Sequence, residues 1–265
     1  MARGILRNVL AMVAALGIVL VAGQALAEVK TRTIEYKDGD ATLKGVLAWD
    51  DAASGKRPGV MVIHEWWGLN DYAVSRAKQL AAEGYVAFAA DMYGDDKVTE
   101  HAEEAGAWMK QITGNIDAWR ARANASLAVL KAQPEVDAAN VAAIGYCFGG
   151  ATVMQMAYAG SDVKAVVSFH GSLPPAGEEV TSIAPRVMVA HGRDDGFIPA
   201  DRIVAFQAGL DRAKANWEMT IYSGARHGFT NPDAGKFGLD GLAYNETADK
   251  HSWAAMLQLF GETLK

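Results

Sequence analysis

At 265 residues, 51% apolar and 21% charged, the chain has ordinary globular composition and enough apolar material for a substantial core. A net charge of -6 excludes the basic footprint of a nucleic-acid binder or of a protein held on an anionic membrane surface. Length alone admits one large domain or two small ones.

Residues 1–27 read as an export signal. Arg3 and Arg7 form a positive start, Val9 to Val21 is uncharged and apolar, and Ala25-Leu26-Ala27 offers a small-x-small cleavage site. The apolar core is short for a membrane span of roughly 20 residues. Cleavage after Ala27 and delivery to the periplasm or the medium are therefore expected. No second long apolar run follows, so the mature chain from Glu28 is expected to have no membrane partner.

Thr31 to Lys37 and Thr42 to Trp49 read as strands around the Asp38-Gly39-Asp40 turn, a hairpin. Six short apolar runs come next: Gly59–Ile63, Tyr85–Ala90, Val141–Ile144, Val163–Phe169, Arg186–Ala190 and Trp217–Tyr222. Helical stretches alternate with them: Asp71–Glu83, Asn115–Ala132, Gly149–Ala159, Asp201–Ala215 and Thr247–Thr263. Short β-rich runs buried on both sides, each followed by a helix, predict a mainly parallel sheet with helices on both faces. With the antiparallel N-terminal hairpin, this describes one α/β domain over residues 28–265. The acidic and aromatic stretch from Asp95 to Trp119 is expected to be a helical cover. In such sheets ligands sit at the carboxyl ends of the strands, so the residues following each apolar run carry the functional reading.

The chain has one cysteine, Cys147. In an exported protein a lone cysteine is a reactive thiol, an intermolecular linker or a buried filler. Its setting chooses. Gly145-Tyr146-Cys147-Phe148-Gly149 joins a predicted strand to a predicted helix, the cysteine version of a nucleophile elbow. A helix N-terminus stabilises a thiolate through its free N–H groups and macrodipole. Two further strand ends supply partners. Arg193-Asp194-Asp195-Gly196 follows one run, and Gly224-Ala225-Arg226-His227-Gly228 follows another. The chain order nucleophile, acid, histidine is that of the α/β-hydrolase fold. Either Asp194 or Asp195 fits as the acid on this ground alone.

These pieces, with His64-Glu65-Trp66-Trp67-Gly68-Leu69-Asn70, Ala90-Asp91-Met92-Tyr93, Asp195-Gly196-Phe197-Ile198-Pro199 and His227-Gly228-Phe229, resemble the dienelactone hydrolase family over the whole mature chain. The resemblance implies a Cys147, Asp195 and His227 triad, with Asp195 preferred to Asp194 by its distance from Pro199. It implies that Glu65 contacts the resting cysteine and takes part in its activation, and that the N–H groups of Phe148 and Trp66 form the oxyanion hole. Small esters or lactones are the substrates it implies, with no cofactor, and the chain is expected to act as a monomer or weak homodimer. One departure concerns the substrate. The family holds an anionic substrate with arginines, but Gly228-Phe229-Thr230-Asn231 follows the histidine, and no arginine lies between Arg76 and Arg120.

Other residues carry weaker expectations. His64-Glu65 begins like a zinc-protease motif, but Gly68 stands where the second histidine is needed, so no metal is expected. His64 then lines or braces the site, with Trp67 and Tyr93 as further pocket residues. Two rival functions use the same chain differently. A thiol redox or peroxide-scavenging protein would need Cys147 but neither Asp195 nor His227, and a silent hydrolase relative would bind without turnover.

Overall fold

The computed structural model describes residues 28–265; the expected export signal at residues 1–27 lies outside the described residues. Strands β1 (Val29–Asp38) and β2 (Ala41–Asp50) form the N-terminal hairpin, paired antiparallel from Val29 opposite Asp50 to Asp38 opposite Ala41. The chain then alternates β3 (Arg57–Ile63), α1 (Asp71–Ala82), β4 (Val86–Ala90), α2 (Ala102–Thr113), α3 (Ile116–Lys131), β5 (Val136–Tyr146), α4 (Phe148–Tyr158), β6 (Ala165–Phe169) and β7 (Arg186–Gly192). It ends with α5 (Ala200–Arg212), β8 (Trp217–Tyr222), a 3-10 turn (Ala234–Phe237) and α6 (Glu246–Thr263). The eight strands form one sheet in the order β1-β2-β4-β3-β5-β6-β7-β8, parallel from β4 onward. This is the α/β arrangement expected from the alternation of apolar runs and helices.

Strand side chains alternate between faces, and the two cores divide accordingly. Met61, Ile63 and Phe88 face one core with Leu127 and Leu130 of α3 and Phe206 and Leu210 of α5. Val60, Val62, Ala87 and Ala89 face the other, with Leu80 of α1 and Met256, Leu259 and Phe260 of α6. Both faces are covered, which is why β3, β4 and β6 read as nearly unbroken apolar runs.

Two expectations need correction. Trp217–Tyr222 is not buried on both sides: β8 is an edge strand, and Glu218, Thr220 and Ile221 are exposed. The stretch from Asp95 to Trp119 is not one cover. Helix α2 ends at Thr113, Asn115 caps α3 by accepting from the N–H groups of Asp117 and Ala118, and Trp119 is buried. Its ring stacks on Phe148 and its indole N–H donates to Thr152 Oγ1 at 3.0 Å.

Candidate active site

Cys147 sits between β5 and α4 with φ 54° and ψ -112°, a backbone conformation that costs a non-glycine residue about 1–3 kcal/mol. The surrounding contacts enforce it. The Cys147 N–H donates to the Phe169 carbonyl at the end of β6, at 3.0 Å, and the Gly149 N–H to the His64 carbonyl at the end of β3, at 3.1 Å. A Cβ on Gly145 would lie 2.0 Å from the Gly149 carbonyl oxygen, and one on Gly149 would lie 2.2 Å from that of Ile63. The flanking glycines are therefore steric necessities. Phe148 opens α4, so its N–H has no acceptor within the helix. The Trp66 N–H likewise has no backbone acceptor among the described residues.

Asp195 and His227 come from the loops after β7 and β8. His227 Nδ1–H donates to Asp195 Oδ2 at 2.8 Å, and Asp195 Oδ1 accepts from the Phe197 N–H at 3.0 Å. Both residues are buried, whereas Asp194 is exposed. The choice between the two neighbouring aspartates is made by this pairing. The Nδ1 bond leaves Nε2 of the ring for Cys147, which lines the same cleft. Burial is the strongest single influence on His227 and opposes its charge. A Cys147 thiolate and the Asp195 carboxylate together outweigh it and push the imidazole up to about 10.

Glu65 is buried, and its Oε2 accepts from the Asn231 side-chain amide at 2.6 Å. Burial pushes this carboxyl up to about 7, against the opposing pull of Asn231, His227 and Arg76. Contact of Glu65 with the cysteine was expected; its hydrogen-bond partner in the structure is Asn231 instead. Asn231 was read in the sequence only as part of a stretch lacking arginine. Its position four residues after His227 was the available signal.

The remaining pocket expectations are displaced. The cleft at Cys147, about 200 Å³, is lined by Trp66, Met109, Ser172, Phe197, Ile198, His227, Leu239 and Leu242. His64, Trp67 and Tyr93 stand behind it. His64 is fully buried: its Nε2 accepts from the Met92 N–H at 3.2 Å, so the ring proton is on Nδ1, which donates to the Glu65 carbonyl. It ties the ends of β3 and β4 together. Trp67 is stacked on Phe237, and the Tyr93 hydroxyl donates to the Trp66 carbonyl at 3.1 Å. These residues position the Glu65-Trp66 segment from behind.

A buried network that sequence reasoning did not find supports the histidine loop. Arg76 of α1 donates to Asp249 Oδ1 at 2.6 Å and to the Thr230 carbonyl. Thr230 Oγ1 lies 2.6 Å from the Tyr72 hydroxyl and 2.7 Å from His170 Nε2. The His170 ring meets His227 edge-on, with centroids 5.2 Å apart. Burial, aided by the charges of His227 and Arg76, holds His170 well below the usual imidazole range. Among the described residues no group of three or more His, Cys, Asp or Glu could hold a metal ion.

The sheet order, the strained strand–helix turn and the carboxylate-bound histidine after the last strand define an α/β hydrolase. The family model for dienelactone hydrolases matches residues 43–264. The chain belongs to the dienelactone hydrolase family and is an ester or lactone hydrolase. A solved structure described as a dienelactone hydrolase-like promiscuous phosphotriesterase, P91, from metagenomic libraries is 42% identical. It covers 89% of this chain and 99% of its own, with a TM-score of 0.87. A provisionally assigned dienelactone hydrolase from Klebsiella pneumoniae shares the fold at 23% identity, covering 88% and 99% of the two chains with a TM-score of 0.72. A Synechocystis protein provisionally assigned as a carboxymethylenebutenolidase is 28% identical over 256 residues, covering 90% of this chain and 99% of its own.

Proposed function

We propose that the protein cleaves small-molecule esters and lactones through a thioester acyl-enzyme on Cys147. The observation that carries this reading is the His227–Asp195 bond beside the same cleft that the strained Cys147 enters. The Cys147 thiolate attacks the carbonyl carbon, and the oxyanion is received by the N–H groups of Phe148 and Trp66. Each such donor is typically worth about 3–4 kcal/mol of barrier. Collapse breaks the C–O bond, and the His227 imidazolium gives its Nε2 proton to the departing alkoxide. Water then attacks the thioester with His227 as base, releasing the acid and restoring the thiol. Asp195 keeps the proton of the neutral ring on Nδ1 and stabilises the imidazolium.

Glu65 is assigned to switching the nucleophile. Its attachment to Asn231 leaves Cys147 to His227, and attachment to the thiol would hold Cys147 at rest. A second activity is favoured by the relative described as a promiscuous phosphotriesterase: the same thiolate and N–H groups suit attack at a neutral phosphotriester. We further assign residues 1–27 as an export signal cleaved after Ala27, residues 28–265 as the mature hydrolase domain, and the periplasm or the medium as its location. The mature domain is assigned as a monomer or weak homodimer.

The test is turnover of p-nitrophenyl acetate and a simple lactone by the wild type, Cys147→Ala and His227→Ala, with mass spectrometry of the quenched enzyme. Loss of turnover in both variants and an acyl adduct on Cys147 are expected. Ester turnover surviving Cys147→Ala overturns the reading. Peroxide turnover that survives His227→Ala would replace it with the redox function. Retained ligand binding without turnover would replace it with a silent binding role. Intact mass of periplasmic protein should begin at Glu28, and light scattering gives the oligomeric state.

A further inference from the structure

The wall of the cleft points to a substrate class. Five elements contribute: Trp66 after β3, Met109 on α2, Ser172 after β6, Phe197 and Ile198 after β7, and Leu239 and Leu242 beyond the 3-10 turn. Apart from Cys147, His227 and the indole N–H of Trp66, Ser172 supplies the one polar side chain among the described residues of the wall, and it is exposed. Among the described residues no lysine or arginine lines this cleft. Three basic residues on nearby segments are engaged elsewhere. Arg226 donates to the Asp240 carbonyl at 3.0 Å, Lys236 pairs with Asp233 at 2.6 Å, and Arg76 is buried against Asp249. Lys110, next to Met109 on α2, is exposed and outside the wall.

We infer that the enzyme takes neutral esters and lactones with a short apolar acyl or ring portion, and discriminates against substrates that carry a carboxylate into the cleft. This rests on the proposed thiol mechanism for its chemistry. A carboxylate entering here would lose water without gaining a free counter-charge, since His227 is already held by Asp195 and committed to the Cys147 thiol, and burying an unpaired charge is heavily unfavourable. Apolar substituents gain instead: each buried methylene is worth roughly fourfold in affinity. The volume of about 200 Å³ is below the usual range for drug-sized ligands, ~300–1,000 Å³, so the gain ends after a few carbons. Phe197 makes the mouth apolar as well. It is about half exposed, and its ring stands perpendicular to His227 with centroids 5.3 Å apart. The apolar surface therefore begins at the entrance and continues to the nucleophile.

The test uses a matched pair, the p-nitrophenyl monoester of adipic acid and its methyl ester, which differ by one charge, together with the p-nitrophenyl acetate, butyrate and hexanoate series. The methyl ester is expected to exceed the free acid in kcat/KM by at least ~10-fold, and the series to rise and then level. Leu242→Arg and, independently, Leu239→Lys are expected to narrow the charge ratio by at least ~10-fold, since a cation on the wall restores the missing partner. Wild-type turnover of the anionic ester equal to or faster than the neutral one overturns the inference, as does a ratio unmoved by both variants. Failure of the underlying mechanism reads differently: either ester would still be hydrolysed by Cys147→Ala.

Discussion

Asn231 donates its side-chain amide to Glu65 at 2.6 Å across a separation of 166 residues, joining the loop after β8 to the turn after β3. The Asn231 carbonyl oxygen is occupied in turn by the Asp233 N–H at 2.9 Å, so the amide orientation is determined by its partners. Asn231→Ala leaves a buried carboxyl without its donor. A loss of ~1–3 kcal/mol is expected, read by urea denaturation. A double-mutant cycle with Glu65→Gln should return a coupling of ~1 kcal/mol; strict additivity would show that the two side chains do not support each other.

Glu65 also predicts a pH dependence. Its carboxyl is pushed up by burial, from an ordinary value near 4.5 to about 7. Between those values the folded chain holds the Glu65 proton more tightly than the unfolded chain does. Stability from this group is therefore fully present below about 4.5 and is lost as pH rises through about 7. The stability of wild type relative to Glu65→Gln should fall by ~3 kcal/mol across that window. Melting curves of both proteins at pH 4.5 and pH 8 measure it, and a difference independent of pH would refute the assignment.

The elbow predicts opposite outcomes for adding a side chain at Gly149 and removing one at Cys147. Gly149→Ala drives a methyl group into the Ile63 carbonyl and should cost at least ~3 kcal/mol or abolish folding. Gly235→Ala, with nothing within 4 Å of the new Cβ, is the control and should shift stability by less than ~0.5 kcal/mol. Cys147 lies at φ 54°, so Cys147→Gly should be more stable than Cys147→Ala by ~1 kcal/mol. Chemical denaturation of all four variants checks the order.

Arg76 acts at a distance from the chemistry. It spans Asp249 and the Thr230 carbonyl, and its guanidinium lies over Tyr72, Tyr146 and Trp253. Arg76→Met removes the charge that offsets buried Asp249 and should cost ~3–5 kcal/mol. Arg76→Met with Asp249→Asn should recover part of that loss. At a temperature where the double variant is folded, kcat should fall more than KM rises, because the displaced loop carries His227. A change confined to KM would assign Arg76 to substrate binding instead.

The raised His227 predicts how the thiol reacts. With the imidazole pushed up to about 10, its positive charge persists through neutral pH and disappears as pH rises through about 10. Alkylation of Cys147 by iodoacetamide at pH 7 should then be at least ~10-fold slower in His227→Ala. Equal rates would show that the imidazole does not hold the thiolate.

The sheet was legible because its evidence is periodic and local. Apolar runs such as Gly59–Ile63 alternate with amphipathic helices, and the flanking glycines of Cys147 sit within two residues of the strain they permit. The edge exposure of β8 was not legible. Its residues have strand composition, and their exposure follows from pairing with β7 alone. His64 and Tyr93 follow strand ends as expected, yet a strand end supplies side chains to both the cleft and its backing. Hydrogen-bond partners decide between them: His64 is consumed by Met92 and Glu65.

By itself, the sequence determined an α/β sheet, an elbow at Cys147, and an acid and a histidine at later strand ends. Those features depend on residue type and short-range spacing. Only the tertiary structure decided that Asp195 and not Asp194 meets His227, that Asn231 holds Glu65, and that the cleft is walled by apolar side chains from four separate elements. Such choices are made by contacts between residues 32 to 166 positions apart, where burial and the direction of each donor determine which partners meet.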